Sequence, residues 1–366
     1  MSRPMFAGIA AGIAMMFSTL CLLGAAGCGT AGQATSMTEG QVTSTTVRPV
    51  TSATAVRTST STTAGPMPAP RVSFIAPRGS GEGQVCYVED QEGIWGPTGF
   101  CVLPDKSVAI LGCGDESIRV FGPSGKPLYS IDLRGITITP MDIRWWNDTF
   151  AILELNSQPK SVVLIDVKGE VKKTVELWPG MDETSEGGLR IGRNGELELM
   201  ELCVPPHVLT DSQGNALPAA QMQQTRAIYA FQGGPEFEVA QQQGEGPARV
   251  RVVGSADWVL VGPEETLGGT PLASDDLGNT YFEVGRVKYD SSGLFVAADT
   301  IVVRLDGAFR QVGYARIDSA GMVIAPPRAV DVTGDGNAYS MVPKADGVHI
   351  ETLDFSTELP ELGPSF

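Results

Sequence analysis

Ser157-Gln158-Pro159-Lys160 sets a hydroxyl three residues ahead of an amine. That spacing lets a lysine take a serine proton when both lie on one helical turn. Pro159 and the apolar runs on either side deny the helix, so the stretch reads as a loop. Asp331-Val332-Thr333-Gly334-Asp335-Gly336-Asn337 begins like a calcium loop, where alternate oxygen ligands and a glycine at the sixth place wrap a hard cation. Thr333 stands at its third place and Val342 at the twelfth, where a two-oxygen glutamate is required; a hairpin turn explains it better. Gly79-Ser80-Gly81-Glu82-Gly83 lacks the lysine and helix of a phosphate loop, and Gly122-Pro123-Ser124-Gly125-Lys126 is too short for one. His207, after Pro205-Pro206 and so on a loop, and His349, alternating within a strand, are the two histidines; each reads as a lone surface or packed side chain. No catalytic residue is nominated, and no metal or cofactor is expected.

Six cysteines leave four once Cys21 and Cys28 of the leading segment are set aside: Cys86, Cys101, Cys113 and Cys203. In an exported chain these permit two disulfides in any of three connectivities. Cys101 in a strand and Cys113 in the loop after it are close in sequence, and a Cys86–Cys101 bond would tie the segment before the first repeat to that repeat. The net charge of −16 opposes a nucleic-acid partner, which calls for a basic stripe. Lys168, Lys172 and Lys173 are the nearest thing to one and read as a solvated strand edge.

These groups must be positioned by short strands. Phe100-Cys101-Val102-Leu103, Val108-Ala109-Ile110-Leu111, Ile118-Arg119-Val120-Phe121 and Leu128-Tyr129-Ser130-Ile131-Asp132-Leu133 are apolar or alternating runs. Turn chemistry separates them: Pro104-Asp105-Lys106-Ser107, Gly112-Cys113-Gly114-Asp115 and Gly122-Pro123-Ser124-Gly125. Such a four-stranded meander cannot bury both faces alone. The same order returns over 139–175, 270–312 and 326–353, and more weakly around 187–240 and 247–268. Each unit opens with a proline and a short strand; an Asp/Asn/Gly turn, an apolar strand and a third strand follow. A spacing of roughly 40–50 residues fits propeller blades. An antiparallel sandwich, the competing architecture, does not require this order. Trp145-Trp146 puts one ring on each face of a strand, one in the core and the other either packed against the next blade, the favoured reading, or stacked on a sugar; Trp95, Trp178 and Trp258 fall near blade edges.

Gly96-Pro97-Thr98-Gly99, Asp105, Val108-Ala109-Ile110-Leu111, Ile118-Arg119-Val120-Phe121 and Gly125 resemble an NHL-type repeat of six-bladed β-propellers, although Gly112 stands where that repeat usually has Asp. The resemblance implies an all-β ring of four-stranded antiparallel sheets over residues 72–366 and carries over no catalytic residue. The room suits six blades; spacing alone also admits five or seven.

Arg3 precedes an apolar run from Met5 to Gly27, the anatomy of a secretory signal. Ala25-Ala26-Gly27-Cys28 resembles a bacterial lipobox, which implies acylation of Cys28 and removal of residues 1–27 as a lipoprotein signal peptide. Acyl chains contribute about 0.8 kcal/mol per buried methylene, so several hold firmly. Residues 28–71 are rich in Ser, Thr and Pro and nearly free of aromatics, a disordered tether. As a coil it reaches roughly 35 Å. The leading expectation is a binding head, not an enzyme, on the extracytoplasmic face of a bacterial cell membrane, lipid-anchored. Its partner would be an envelope protein or extracellular ligand. The alternatives are a propeller lyase or hydrolase with a metal in the axial channel, and an envelope assembly factor.

Overall fold

The computed structural model describes residues 71–362, apart from 91–92, 182–187, 201–205, 227, 241–246, 264–265 and 293–294. The leading segment, the tether, Cys28 and Cys203 lie outside the described residues.

The chain begins with β1 (Arg71–Pro77), then a small ribbon of β2 (Val88–Asp90) and β3 (Gly93–Trp95). Blade 1 follows as β4 (Pro97–Val102), β5 (Val108–Gly112), β6 (Ser117–Phe121) and β7 (Pro127–Asp132). Blade 2 is β8 (Pro140–Trp146), β9 (Thr149–Glu154), β10 (Ser161–Ile165) and β11 (Val171–Glu176). Blade 3 has β12 (Gly188–Ile191), β13 (Leu197–Met200) and β14 (His207–Val208), followed by one turn of helix, α1 (Ala219–Met222). Blade 4 is β15 (Tyr229–Ala230), β16 (Glu236–Ala240), β17 (Arg249–Val252) and β18 (Val259–Leu260). Blade 5 is β19 (Thr266–Ser274), β20 (Thr280–Tyr289), β21 (Phe295–Leu305) and β22 (Gln311–Arg316). Blade 6 is β23 (Val330–Val332), β24 (Ala338–Lys344) and β25 (Gly347–Thr352), and β1 supplies its outer strand by pairing antiparallel with β25. The result is a six-bladed propeller, the ring the NHL-type resemblance implied, closed by joining its two ends in one sheet. Closure packs a neighbouring blade against each apolar face that an open array would leave bare at its first and last units.

Prolines open the inner strands β4 and β8 because an inner edge strand has N–H groups that need no ladder partner. The apolar core lies in the seams between blades. Cys101, Leu111 and Ile131 of blade 1 meet Phe150, Ile152 and Val163 of blade 2. Leu153 and Leu164 of blade 2 meet Leu189, Leu197 and Leu199 of blade 3. Phe237 and Val250 of blade 4 meet Phe282 and Val303 of blade 5. Blades 5 and 6 join through Tyr281, Val302 and Val342, and blades 6 and 1 through Phe74, Ile350, Phe100 and Ile110. The seam between blades 3 and 4 is different. Leu197 and Leu199 face blade 2, so by strand alternation Glu196 and Glu198 face blade 4, where both carboxylates accept from Arg226 Nη1 at 2.8 and 3.0 Å.

Antiparallel order divides the connections between two ends of the ring. The inner-to-second-strand turns share one end with the third-to-outer turns; there Lys106 of blade 1 pairs with Asp335 of blade 6 at 2.5 Å, and Asp276 N–H of blade 5 donates to Gly334 O at 2.8 Å. Gly233 belongs to the same girdle: its φ is +82°, and a Cβ there would stand 2.5 Å from Asp275 O. The opposite end carries the longer connections 78–96, 133–139 and 317–329, together with the tip of the β20–β21 hairpin, whose strands are 10 and 11 residues long.

Candidate functional site

The inner strands place charge where a propeller has its channel. Asp142 and Arg144 of β8, Arg190 of β12, Arg328 just before β23 and Asp331 of β23 are all buried. Arg328 crosses the axis: Nε donates to Asp142 Oδ1 at 2.9 Å, and its Nη2 donates to the carbonyls of Phe100 and Ile143. Nη1 lies 3.5 Å from Asp331 Oδ1. Arg144 pairs with Asp331 through Nη1 and donates from Nε to Leu189 O at 2.9 Å. The carboxylates are held from behind by backbone. Leu189 N–H donates to Asp142 Oδ2 at 2.7 Å, and Val102 N–H to Asp331 Oδ2 at 2.8 Å. Blades 1, 2, 3 and 6 are thus tied across the axis. Close packing enforces the geometry, since a Cβ on Gly99 would stand 3.0 Å from Asp142 Oδ1, and one on Gly188 3.0 Å from Asp142 Oδ2.

Burial and the neighbouring Arg328 hold the Arg144 guanidinium below its ordinary range. Burial lowers Arg328 too, but Asp142 and Asp331 outweigh it and the net shift is upward. Burial, with Arg144 and Arg328 as like charges, brings Arg190 down to about 9. Glu283 of β20 faces this group half-buried; burial pushes its carboxyl up against the pull of Arg190 and Arg328. The arrangement as it stands binds itself. Both axial aspartates are engaged by guanidinium and by backbone N–H, and three guanidiniums repel a cation.

The residues weighed from sequence are spread over the ring. Ser157 Oγ donates to Pro159 O at 2.8 Å and Lys160 Nζ reaches Met181 O, so the two do not form a proton-transfer pair. The segment from Asp331 divides. Thr333, Asp335 and Asn337 close the β23–β24 turn, while Asp331 itself points to the axis. His207 lies in strand β14 rather than on a loop; it is buried, with Nδ1 2.8 Å from Met222 O and its ring 4.6 Å from that of Trp178. His349 lies in β25 beside Asp346 at 2.9 Å. Trp146 packs between blades 2 and 3, and Trp145 packs edge-on to Phe150 at 5.0 Å on the other face. Trp258 is partly exposed beneath Arg251. Lys172 pairs with Asp166 and Glu170 at 2.8 Å, and Lys173 donates to Gly214 O at 2.6 Å.

Cys86, Cys101 and Cys113 are free thiols. Cys101 is wholly enclosed in the seam between blades 1 and 2, and burial pushes its thiol far up. Burial brings Cys113 to about 11, with Glu154 as the next cause. Cys86 is partly exposed on the connection end and raised by burial and Asp115.

Sequence reading missed Arg144, Arg190, Arg328 and Asp142. A signal was present: charges interrupt apolar inner-strand runs, as in Met141-Asp142-Ile143-Arg144-Trp145, Leu189-Arg190-Ile191 and Val330-Asp331-Val332. Among the described residues, no group of three or more His, Cys, Asp or Glu side chains is arranged to hold a metal ion.

No protein-family model and no curated protein matches this sequence. Solved structures with a similar course include a streptogramin B lyase, 12% identical, covering 74% of this chain and 97% of that one with a TM-score of 0.36. An inactive virginiamycin B lyase from Staphylococcus aureus, solved with quinupristin, is 17% identical and covers 74% and 99%, with a TM-score of 0.38. A gluconolactonase from Xanthomonas campestris is 12% identical and covers 80% and 99%, with a TM-score of 0.41. The propeller assignment itself stands on the strand pairing of this chain.

Proposed function

We propose that this chain is a binding module: a rigid propeller carried on a flexible tether and held, through acylated Cys28, on the extracytoplasmic face of a bacterial membrane. The observation that supports it is the closed axis. Arg328–Asp142 and Arg144–Asp331 occupy the place where a propeller enzyme would gather reactive groups, and each carboxylate already has its partners. Recognition then falls to the connection end, whose long, varied loops contrast with the short turns opposite. The partner is an envelope protein or extracellular ligand. The net charge of −16 keeps the head off anionic lipid and leaves the tether to set its distance from the membrane.

Two exposed apolar side chains at opposite ends provide the test. Ile138, 62% exposed, stands on the connection end, and Val167, 45% exposed, on the β10–β11 turn. A photo-crosslinking residue at each position of the full-length chain in living cells should give a discrete protein adduct from 138 and none from 167. Adducts from 167 alone, or equal smears from both, would contradict recognition at the connection end. A mature N-terminus without acyl mass on Cys28 would remove the anchoring half of the reading.

A further inference from the structure

Among the described residues, Arg190 is the one axial arginine that forms no ion pair. It is 5% exposed, and its Nη1 donates to Leu189 O at 2.8 Å, a carbonyl already shared with Arg144. Its Nε makes no hydrogen bond among the described residues. Asp142 is taken by Arg328 and Leu189 N–H, and Asp331 by Arg144, Arg328 and Val102 N–H. Three buried guanidiniums therefore face two fully buried carboxylates and half-buried Glu283, and Arg190 is the one of the three that no carboxylate reaches among the described residues. A buried cation left so is costly unless something of opposite sign meets it.

Two other carboxylates are near in sequence or space, and neither supplies the match. Glu198 is directly opposite Arg190 across the β12–β13 ladder, but the two heads diverge. The Arg190 guanidinium lies over Gly188, 2.8 Å from where its Cβ would be, and the Glu198 carboxyl lies over Gly192, at 2.7 Å. Glu283 contributes charge to Arg190 without forming an ion pair with it among the described residues. Beside Glu283 there is room: Gly285, two residues along the same face of β20, has no heavy atom within 4 Å of a Cβ position.

We propose that Arg190 seats a small carboxylate-bearing ligand, held through the Nε–Nη2 edge of its guanidinium and admitted to the axis beside Glu283 and Gly285. That edge presents two parallel N–H groups, the fork that matches the two oxygens of a carboxylate. The ligand is a monoanion because Glu283 on the far side disfavours a second charge. This site is independent of the rim contact proposed above, and either can fail without the other.

The test uses acetate as probe and acetamide, its neutral counterpart, as control, with the full-length chain. Acetate should broaden or shift its carboxyl carbon resonance saturably and raise the Tm; acetamide should do neither. Arg190→Gln should weaken acetate binding at least tenfold. Arg190→Lys should do the same despite keeping the charge, because an ammonium lacks the fork. Glu283→Gln should leave binding intact or tighten it. Should the Arg190 variants not fold, Gly285→Val decides: loss of acetate binding in a folded ring supports the site, and unchanged binding overturns it. Equal responses to acetate and acetamide, or undiminished acetate binding by folded Arg190→Gln, would show that water alone meets Arg190.

Discussion

Replacing Arg328 with methionine should destabilise the ring more than any surface change. The side chain is 2% exposed and donates to Asp142 and to the carbonyls of Phe100, Ile143 and Val330. Removing it leaves the Asp142 carboxylate, 0% exposed, as an uncompensated buried charge. Breaking a buried pair from one side costs about 3–5 kcal/mol. At about 2 °C per kcal/mol for a domain of this size, the Tm should fall by about 6–10 °C. Equilibrium urea unfolding followed by tryptophan fluorescence reads it, since Trp145, Trp146 and Trp178 pack in the seams beside blade 2. The second arm is Arg328→Met combined with Asp142→Asn. The amide still accepts Leu189 N–H but carries no charge, so about 2 kcal/mol should return. A single-variant loss below about 1 kcal/mol, or a double variant less stable than the single, would refute the reasoning that buried charge pairing holds the axis.

Other perturbations separate the parts. Burial lifts the Glu198 carboxyl to about 7, well above the ordinary carboxylate range, so between that range and 7 the native state binds more protons than the unfolded chain. Stability should therefore fall by up to about 3 kcal/mol as pH rises from 4.5 to 7, and Glu198→Gln should flatten that slope in urea melts across the range. Lys106→Ala removes an exposed pair with Asp335 at the turn end and should change unfolding free energy by less than about 1 kcal/mol. Gly347→Ala tests ring closure: φ is +154° and a Cβ there would stand 2.3 Å from Ala76 O, so β1 must shift off β25. Its amides there should lose hydrogen-exchange protection before those of blade 2. Cys28→Ser should release the chain from membranes on fractionation.

The ring was legible because its grammar is local. Proline, turn and apolar run recur within each unit, and the four runs between Phe100 and Leu133 became the four strands of blade 1. The stretch 187–268 read weakly, and its inner strands β12 and β15 are only 4 and 2 residues long and do not open on proline. The axial group was not legible because its members are far apart in sequence. Asp142 and Arg328, which touch, are separated by 186 residues, so the apolar neighbours of Asp142 mark it as interior without naming its partner. The segment from Asp331 reads as a hairpin turn, which Thr333, Asp335 and Asn337 do close, but alternation along β23 turns Asp331 itself toward the arginines. Pro205-Pro206 suggests a loop for His207, whereas pairing with Leu199 of β13 makes the segment a short strand.

A crystal structure of the chain at about 1.5 Å, with anomalous data to identify any ion, tests the central claim most directly. The account predicts Arg328 on Asp142 and Arg144 on Asp331, with no cation between the blades. A hydrated channel in which Asp142 and Asp331 ligate a metal, with the arginines turned away, would contradict it.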